Sequence, residues 1–338
     1  MKKLYIISNE NINLSNNNFF CDNKDLKSTP EGLSSKYEVC LIGRNSKKKR
    51  FHKINVKNIK IYKNILSYLL GIIVSFKHQN VKYLIISITP FTFFACILIW
   101  LFKKKPYVYL RSDGYSEYKI ILGNIGVFLF HFMFLIVSKI SFLISCRNYI
   151  LRGNKGFVVH PSQLTPQWFK NQKLQNKINK VKLLYVGRLR KEKGIFSLIE
   201  IIKPLKRITL SIVGKERDDN FFTHQKNINI YNIEKNTRKL INHFDKHSIF
   251  ILPSFTEGHP MVLLESLARL RPVIIFKEIK HVIGKKKGVF VAERNAKSLK
   301  KVIKYIKNNI KFINKQIQLN NLPQKKLFFN NIFKILNK

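Results

Sequence analysis

The chain has 338 residues, of which 63 are Lys or Arg and 18 are Asp or Glu, so its formal net charge is +45. At about 100–200 residues per domain this length predicts two domains, and a hydrophobic fraction of 45% excludes a disordered basic tail. The charge points first to polyanions such as nucleic acid, an acidic membrane surface or phosphorylated small molecules. Because the chain is also crowded with Asn and Ile, compositional bias explains most of the lysines equally well.

The four cysteines lie far apart and form no C-x-x-C pair: Cys21, Cys40, Cys96 and Cys146. This spacing argues against a disulfide framework or a structural zinc site and fits a reducing compartment. The N-terminus leads into an apolar run too short for the core of a signal peptide, so we expect a first strand there.

The N-terminal half alternates short apolar runs with helix-like segments. We predict strands at residues 4–9, 37–43, 83–88, 107–111, 142–145 and 157–160. Continuous apolar strands separated by helices are typical of a parallel sheet covered on both faces. We therefore predict an N-terminal domain over residues 1–170, followed by a polar linker over residues 166–180.

Two uncharged stretches, residues 84–102 and 120–137, have compositions that approach those of membrane spans. The first contains Pro90, which suits the first turn of a helix, so we divide it into a strand and a buried helix. The second contains Gly123, Gly126 and His131, which favours a buried or membrane-dipping helix over a span. Ordinary core helices are the alternative in both cases.

The second half repeats the pattern. Strands are predicted at residues 181–187, 209–214, 227–231, 248–253 and 273–276, with helices that begin near Gly194, Asn236, Pro260 and Asn295. The fold class is therefore α/β, with two Rossmann-like doubly wound domains. The second domain spans residues 178–316, and we expect the basic segment from about residue 317 to residue 338 to pack back on the first domain.

Two segments of the second domain carry the residue types of a ligand site. Gly187 ends a buried strand, and Arg188 and Lys193 flank the start of the next helix, where a guanidinium and an ammonium suit a diphosphate. The second segment runs from Pro253 to Glu265, and Glu265 lies within an otherwise apolar helix face. A buried carboxylate needs a partner, for which a ligand hydroxyl is one candidate and a nearby Lys the other. A solvated basic turn is the alternative for the first segment.

In these motifs the sequence resembles the retaining glycosyltransferases of family 4, which share the GT-B fold, two Rossmann-like domains that face a central cleft. The resemblance rests on Gly187-Arg188-Leu189…Lys193-Gly194, on Gly214, and on Glu257-Gly258 followed by Glu265, the E-x7-E spacing of the family. It covers about residues 181–294, and the N-terminal half is similar only in pattern.

The resemblance implies a role for each matching position. Arg188 and Lys193 would bind the donor diphosphate and offset charge on the leaving group, and Glu265 would bind the ribose hydroxyls. Glu257 would orient the donor sugar, together with the donor-binding positions Gly187, Gly258, His259, Pro260, Met261 and Val262. Members of the family usually need neither a metal nor a cofactor, so we expect a metal-independent, hexosyltransferase-type enzyme.

Several positions depart from the family pattern. Asn9-Glu10-Asn11 stands where a Gly-rich loop is usual, and the His expected after the fourth strand is absent, so Asp113 becomes the candidate acceptor-orienting or catalytic group. The turn before Pro272 reads Arg269-Leu270-Arg271 instead of ending in Gly. His243 and His247 are four residues apart but lack the Glu of a zinc protease, and we expect no metal there.

The sequence thus predicts an enzyme that moves a sugar from a nucleotide sugar to a glycan or lipid-linked acceptor, in bacterial cell-surface polysaccharide or lipopolysaccharide synthesis. We expect a cytoplasmic protein, peripheral on the inner face of the membrane, where aromatic residues precede Lys103-Lys104-Lys105. The alternatives are a basic nucleic-acid-binding protein, although no recognition motif is visible, and a degenerate homologue that binds a nucleotide sugar without turnover.

Overall fold

The computed structural model describes residues 2–215 and 225–338. The chain divides into two compact units. The first comprises Met1–Pro161 together with Lys326–Lys338, and the second comprises Ser162–Lys325. Each unit is described by itself below.

A mostly parallel sheet forms the centre of the first unit. Its strands are β1 (Lys3–Ser15), β2 (Asn18–Cys21), β3 (Glu38–Asn45), β4 (His52–Lys53), β5 (Asn58–Tyr62), β6 (Val81–Ile86), β7 (Pro106–Leu110), β8 (Phe142–Ser145) and β9 (Gly156–Val158). The helices are α1 (Lys24–Leu33), α2 (Ile65–Ile73), α3 (Pro90–Leu101) and α4 (Gly114–Ile140). The parallel strands follow the order β5-β3-β1-β6-β7-β8-β9. The direction of winding therefore reverses between β1 and β6.

The asparagine-rich run after the first strand forms a hairpin. β1 continues beyond its parallel part and pairs antiparallel with β2, with Ser15 opposite Asn18. The two turn residues, Asn16 and Asn17, have φ values of 47° and 58°. Asn tolerates this left-handed conformation better than most residues, and two such residues suit the tight turn of a hairpin. Asn9-Glu10-Asn11, which stand where a Gly-rich loop is usual in the family, lie within β1.

Helix α4 is not one straight helix. Gly123 has φ 64° and ψ −146°, outside the helical region, and the chain folds back at this residue. The rings of Tyr115 and Phe130 lie 4.9 Å apart, and the Tyr115 hydroxyl lies 2.8 Å from Nδ1 of His131. In a straight helix residues 115 and 130 would be about 22 Å apart. The segment is therefore a helical hairpin with its tip near Gly123.

The second unit contains a six-stranded parallel sheet. Its strands are β10 (Val181–Val186), β11 (Ile208–Lys215), β12 (Ile228–Asn232), β13 (Ile249–Leu252), β14 (Val273–Phe276) and β15 (Val289–Ala292). The helices are α5 (Ile195–Ile202), α6 (Thr237–Lys246), α7 (Met261–Ala268), α8 (Ala296–Asn308) and α9 (Ile310–Gln318). The order β12-β11-β10-β13-β14-β15 is that of a Rossmann-like sheet. The predicted α/β class with two doubly wound domains is confirmed.

Residues 166–180, predicted to be a polar linker, belong to the second unit. Pro166–Phe169 forms a short 3₁₀ turn, and Trp168 is buried with its ring 5.6 Å from that of Phe244. The guanidinium of Arg269 donates hydrogen bonds to the carbonyls of Trp168, Lys170 and Asn171. Residues 162–170 accordingly belong to the second unit, because buried arginines on its core bind this segment.

The last helix, α10 (Lys325–Leu336), packs within the first unit. Phe328, Phe329 and Ile332 are buried in the same apolar cluster as Leu4 and Val39 of the sheet. The ring of Phe329 fills the space beside Gly32, where a Cβ atom would lie 2.3 Å from it. Residues 317–325 remain in the second unit, so only the part of the C-terminal segment from residue 326 lies with the first.

Candidate functional site in the second unit

Three loops at the carboxyl ends of β10, β11 and β13 approach one another closely. Gly194 has φ 66°, and a Cβ atom at this position would lie 1.9 Å from the carbonyl oxygen of Pro253. Gly214 has φ 150°, and a Cβ there would lie 1.9 Å from the carbonyl oxygen of Gly187. Glycine alone permits both contacts. The motifs from 187 to 194 and from 253 to 265 therefore form one site at the edge where doubly wound sheets bind ligands.

An ion pair joins the two motifs. Nζ of Lys193 lies 2.8 Å from Oε1 of Glu257, and the Ser254 hydroxyl donates to the same oxygen at 2.7 Å. Both charged side chains are largely shielded from solvent, which strengthens their attraction. The pair fixes the Glu257 carboxylate across the loops.

Arg188 is the second cation of the site and has a different environment. Its backbone carbonyl accepts a hydrogen bond of 2.9 Å from the Tyr185 hydroxyl. Burial raises the pKa of Tyr185 well above its ordinary value, with the nearby Glu257 adding to the shift, so this hydroxyl remains a donor. Within the described part of the chain, no carboxylate forms an ion pair with the half-buried Arg188 guanidinium. Arg188 is therefore available to an anionic ligand.

The second motif runs from the end of β13 into α7. The helix begins at Met261, with Pro260 as its N-cap instead of its first helical residue. Gly258 is buried, whereas His259, Met261 and Val262 are half-buried. Glu265 is 4% exposed and lies one turn into the helix. The helix therefore begins at the edge of the sheet where the loop with Arg188 and Lys193 lies.

Arg294 is part of this site and was not predicted from the sequence. Its Nη2 donates to the carbonyl of Pro253 at 2.9 Å, its Nε donates to Glu278 at 2.6 Å, and its guanidinium stacks 4.0 Å from the Phe255 ring centroid. Arg294 therefore holds the turn that contains Glu257. Arg294 follows β15, a strand that was not predicted from the sequence, so no motif indicated this residue.

Asp113 lies in the first unit and acts as the N-cap of α4. Its carboxylate accepts hydrogen bonds from the Tyr115 amide at 3.2 Å and the Ser116 hydroxyl at 2.8 Å, and pairs with Arg152 at 3.3 Å. These contacts account for the residue structurally. A role toward the acceptor stays a prediction.

The His243–His247 pair has structural contacts. Nδ1 of His247 lies 2.6 Å from the carbonyl of His243, and the His243 ring packs against Tyr231. Burial lowers the pKa of His247, which favours the neutral ring. Over residues 2–215 and 225–338, no three His, Cys, Asp or Glu side chains form a group that could hold a metal ion.

Comparison with known proteins shows a similarity to one family over the part of the chain that contains this site. Residues 166–320 match the sequence profile of the family Glycosyl transferases group 1. The chain is 30% identical over 149 residues to an uncharacterized glycosyltransferase of Haemophilus influenzae, covering 41% of each protein. It is 30% identical over 123 residues to the putative teichuronic acid biosynthesis glycosyltransferase TuaC of Bacillus subtilis, covering 36% of this chain and 31% of that protein.

A solved structure extends the likeness to the whole chain. HepE of Anabaena, in complex with UDP-glucose, is similar with a TM-score of 0.70 at 11% identity, and all of both chains is covered. At this identity the likeness concerns the fold. Residues 166–320 thus match the group 1 glycosyltransferases, in a chain whose two units have the GT-B fold.

Proposed function

We propose that this protein is a retaining glycosyltransferase that transfers a sugar from a nucleotide sugar to a glycan or lipid-linked acceptor in bacterial cell-surface polysaccharide synthesis. The observation that carries the proposal is the site in the second unit. Among the described residues Arg188 has no carboxylate partner, Lys193 pairs with Glu257, and the helix that contains the buried Glu265 begins at the same edge of the sheet. Cations suit a diphosphate, and a buried carboxylate suits the hydroxyls of a ribose.

The chemistry follows from these groups. The bond between the anomeric carbon and the diphosphate oxygen breaks, and the acceptor hydroxyl oxygen bonds to the same carbon. The hydroxyl proton passes to the departing diphosphate. Arg188 and Lys193 stabilise the negative charge that develops on that diphosphate, the electrostatic contribution that dominates such reactions. Glu257 and the backbone at the start of α7 orient the sugar. This assignment requires neither a metal nor a cofactor, and retention is what the family resemblance implies.

The names of similar proteins support the substrate class. TuaC is described as acting in teichuronic acid biosynthesis, and the HepE structure holds UDP-glucose. A nucleic-acid-binding protein would have no use for the arrangement around Glu265.

The test is a thermal-shift screen of the full chain against nucleotide sugars, followed by donor-hydrolysis and transfer assays on each compound that stabilises it. A bound donor at 100 times its Kd should stabilise the fold by about 2.7 kcal/mol. A protein stabilised by random duplex DNA, and by no nucleotide sugar, would contradict the proposal. Donor binding without hydrolysis or transfer would instead identify a degenerate homologue.

We also propose that the protein binds an anionic membrane surface through α4. Gly114–Ile140 has the apolar composition of a membrane span, and 28% of its most apolar part is buried. Because the segment folds at Gly123 into two shorter helices, we propose contact with the membrane surface. After Gly123 one face is buried and contains Phe130, Met133 and Val137, whereas another face is exposed. The exposed face, here called the apolar stripe, consists of Ile125, Phe128, Phe132 and Leu135.

The spacing of the apolar stripe is that of one helix face, so its side chains form a continuous surface. Helix α3, which contacts α4, also carries exposed apolar residues, Phe94 and Trp100. Continuous apolar surfaces of this kind mark interaction sites. Lys103 and Lys105 are exposed at the end of α3, which favours anionic lipid.

Replacing Ile125, Phe128 and Phe132 with Ser should abolish flotation with vesicles of phosphatidylglycerol and phosphatidylethanolamine. Stability should change little, because these side chains are exposed. The matched control is Phe312→Ser, an exposed aromatic residue of the second unit. Wild-type protein that fails to float at low salt, or forms dimers that the triple variant loses, would contradict the membrane proposal and indicate contact between two copies.

A further inference from the structure

We infer that the first unit has an oxyanion site of its own, built from Arg44 and Arg111, and that the acceptor carries the matching phosphate, diphosphate or carboxylate group. The inference rests on the proposed function, since it assigns the site to the acceptor.

The two arginines approach the end of the first strand from opposite sides. The parallel pairing of β1 shifts register between Ile7 and Asn11, so Asn9 and Glu10 lie in a bulge. Nη1 of Arg44, at the end of β3, lies 3.5 Å from Oδ1 of Asn9. Nη2 of Arg111, just after β7, lies 3.0 Å from Oε1 of Glu10. Both guanidinium groups therefore lie at the carboxyl edge of the sheet.

The two arginines have different electrostatic surroundings. Glu10 neutralises Arg111, and its Oε1 also accepts from the Asn23 amide at 2.8 Å. Across the described residues, no carboxylate forms an ion pair with Arg44, whose guanidinium instead lies 4.6 Å from the centroid of the Phe91 ring. A guanidinium that lacks an anionic partner can form charge-assisted hydrogen bonds with a phosphate or carboxylate ligand.

Two donor atoms at this edge lack acceptors. Nε of Arg44 and Nε of Arg111 are both buried and form no hydrogen bond within the described structure. Leaving a buried donor unpaired costs about 1–3 kcal/mol. An oxyanion can accept from a guanidinium in the forked geometry, which would remove this cost.

The position also fits a ligand. The strand order reverses between β1 and β6, and doubly wound sheets bind ligands at this point. Helix α3 begins here at Pro90, with Phe91 in its first turn beneath Arg44. The positive end of the helix dipole adds to the attraction for an anion. The two arginines, the bulge and the helix start together define the site.

The test is calorimetric titration of the full chain with sodium pyrophosphate and with sodium glucuronate. All titrations use the Arg188→Ala background, which weakens the donor site of the second unit and so isolates the first. In this background Arg44→Gln should weaken binding of the matching probe by about 10- to 100-fold, the effect of losing a hydrogen bond to a charged group. Arg44→Lys should have an intermediate effect, because it keeps the charge without the fork.

The matched control is Lys47→Gln, which removes an exposed positive charge three residues along the chain. If Arg44→Gln weakens the binding of pyrophosphate alone, the acceptor is a phosphorylated one. If it weakens the binding of glucuronate alone, the acceptor is a carboxylated one. If Arg44→Gln and Lys47→Gln bind both probes equally well, or if neither probe binds, the inference is wrong. Failure of the proposed function would appear separately, as absence of nucleotide-sugar binding to the wild-type chain.

Discussion

Replacing Arg188 with Ala should lower kcat/KM for sugar transfer by about 10²- to 10³-fold, the usual effect of removing one group that stabilises charge in the transition state. Arg188 is the cation of the donor site that no carboxylate neutralises in the described structure, so its whole charge is available to the diphosphate. The melting temperature should change little, because no ion pair is lost. Steady-state kinetics with the donor found by thermal shift measures the effect.

The control for this experiment is Arg190→Ala. Arg190 belongs to the same loop and is exposed, so its removal lowers the net charge equally without touching the donor site. Transfer by this variant should stay within about twofold of wild type. Equal losses for the two variants would mean that general positive potential, and no specific contact of Arg188, attracts the donor.

Replacing Arg269 with Met should destabilise the second unit by about 3–5 kcal/mol, the effect of removing one partner of a buried ion pair. Arg269 is 1% exposed, and its Nε and Nη2 donate to the two carboxylate oxygens of Asp245 at 2.9 and 2.8 Å. It also donates hydrogen bonds to the carbonyls of Trp168, Lys170 and Asn171. The variant would leave Asp245 buried without its bidentate partner.

Urea unfolding, followed by hydrogen exchange of amides within residues 162–325, measures this loss in the unit concerned. Arg207→Met is the matched control, since Arg207 is exposed in the same unit, and it should shift stability by less than about 0.5 kcal/mol. If Arg269→Met leaves the protection of these amides from hydrogen exchange unchanged, the buried hydrogen-bond network around Arg269 contributes little to the stability of the second unit. Donor binding by Arg269→Met should weaken only in proportion to the loss of folded protein.

The local pattern of apolar and turn residues was sufficient to predict most of the strands and helices. The strands of both parallel sheets have apolar runs with turn residues at their ends, so β7, β8, β10 and β14 fall close to their predicted bounds. The strands that were missed, β5 and β15 among them, are short and lie at sheet edges. Polar residues alternate with apolar ones in β5, whereas β15 is apolar but only four residues long.

The departures from the family pattern became intelligible only in the fold. In the sequence, Arg269 and Arg271 belong to a turn that departs from the family pattern. In the structure both side chains are buried and donate hydrogen bonds to carbonyls between residues 168 and 173. Asp113 was predicted to orient the acceptor substrate or to act in catalysis. In the structure its carboxylate caps α4 and pairs with Arg152. The carbonyls that the two arginines bind lie almost 100 residues away along the chain, and Arg152 lies 39 residues from Asp113, so these contacts leave no periodic signal in the sequence.

The net charge of +45, the two-domain length and the cation and carboxylate motifs of the donor site are properties of the sequence by itself. The motifs could be placed at strand ends and helix starts because hydrophobic periodicity and turn chemistry act over a few residues. The tertiary structure decided which charges remain available. It pairs Lys193 with Glu257 and leaves Arg188 and Arg44 without a carboxylate among the described residues. It also folds α4 at Gly123 so that one apolar face stays exposed. Burial and pairing depend on contacts between distant segments, and no local pattern encodes them.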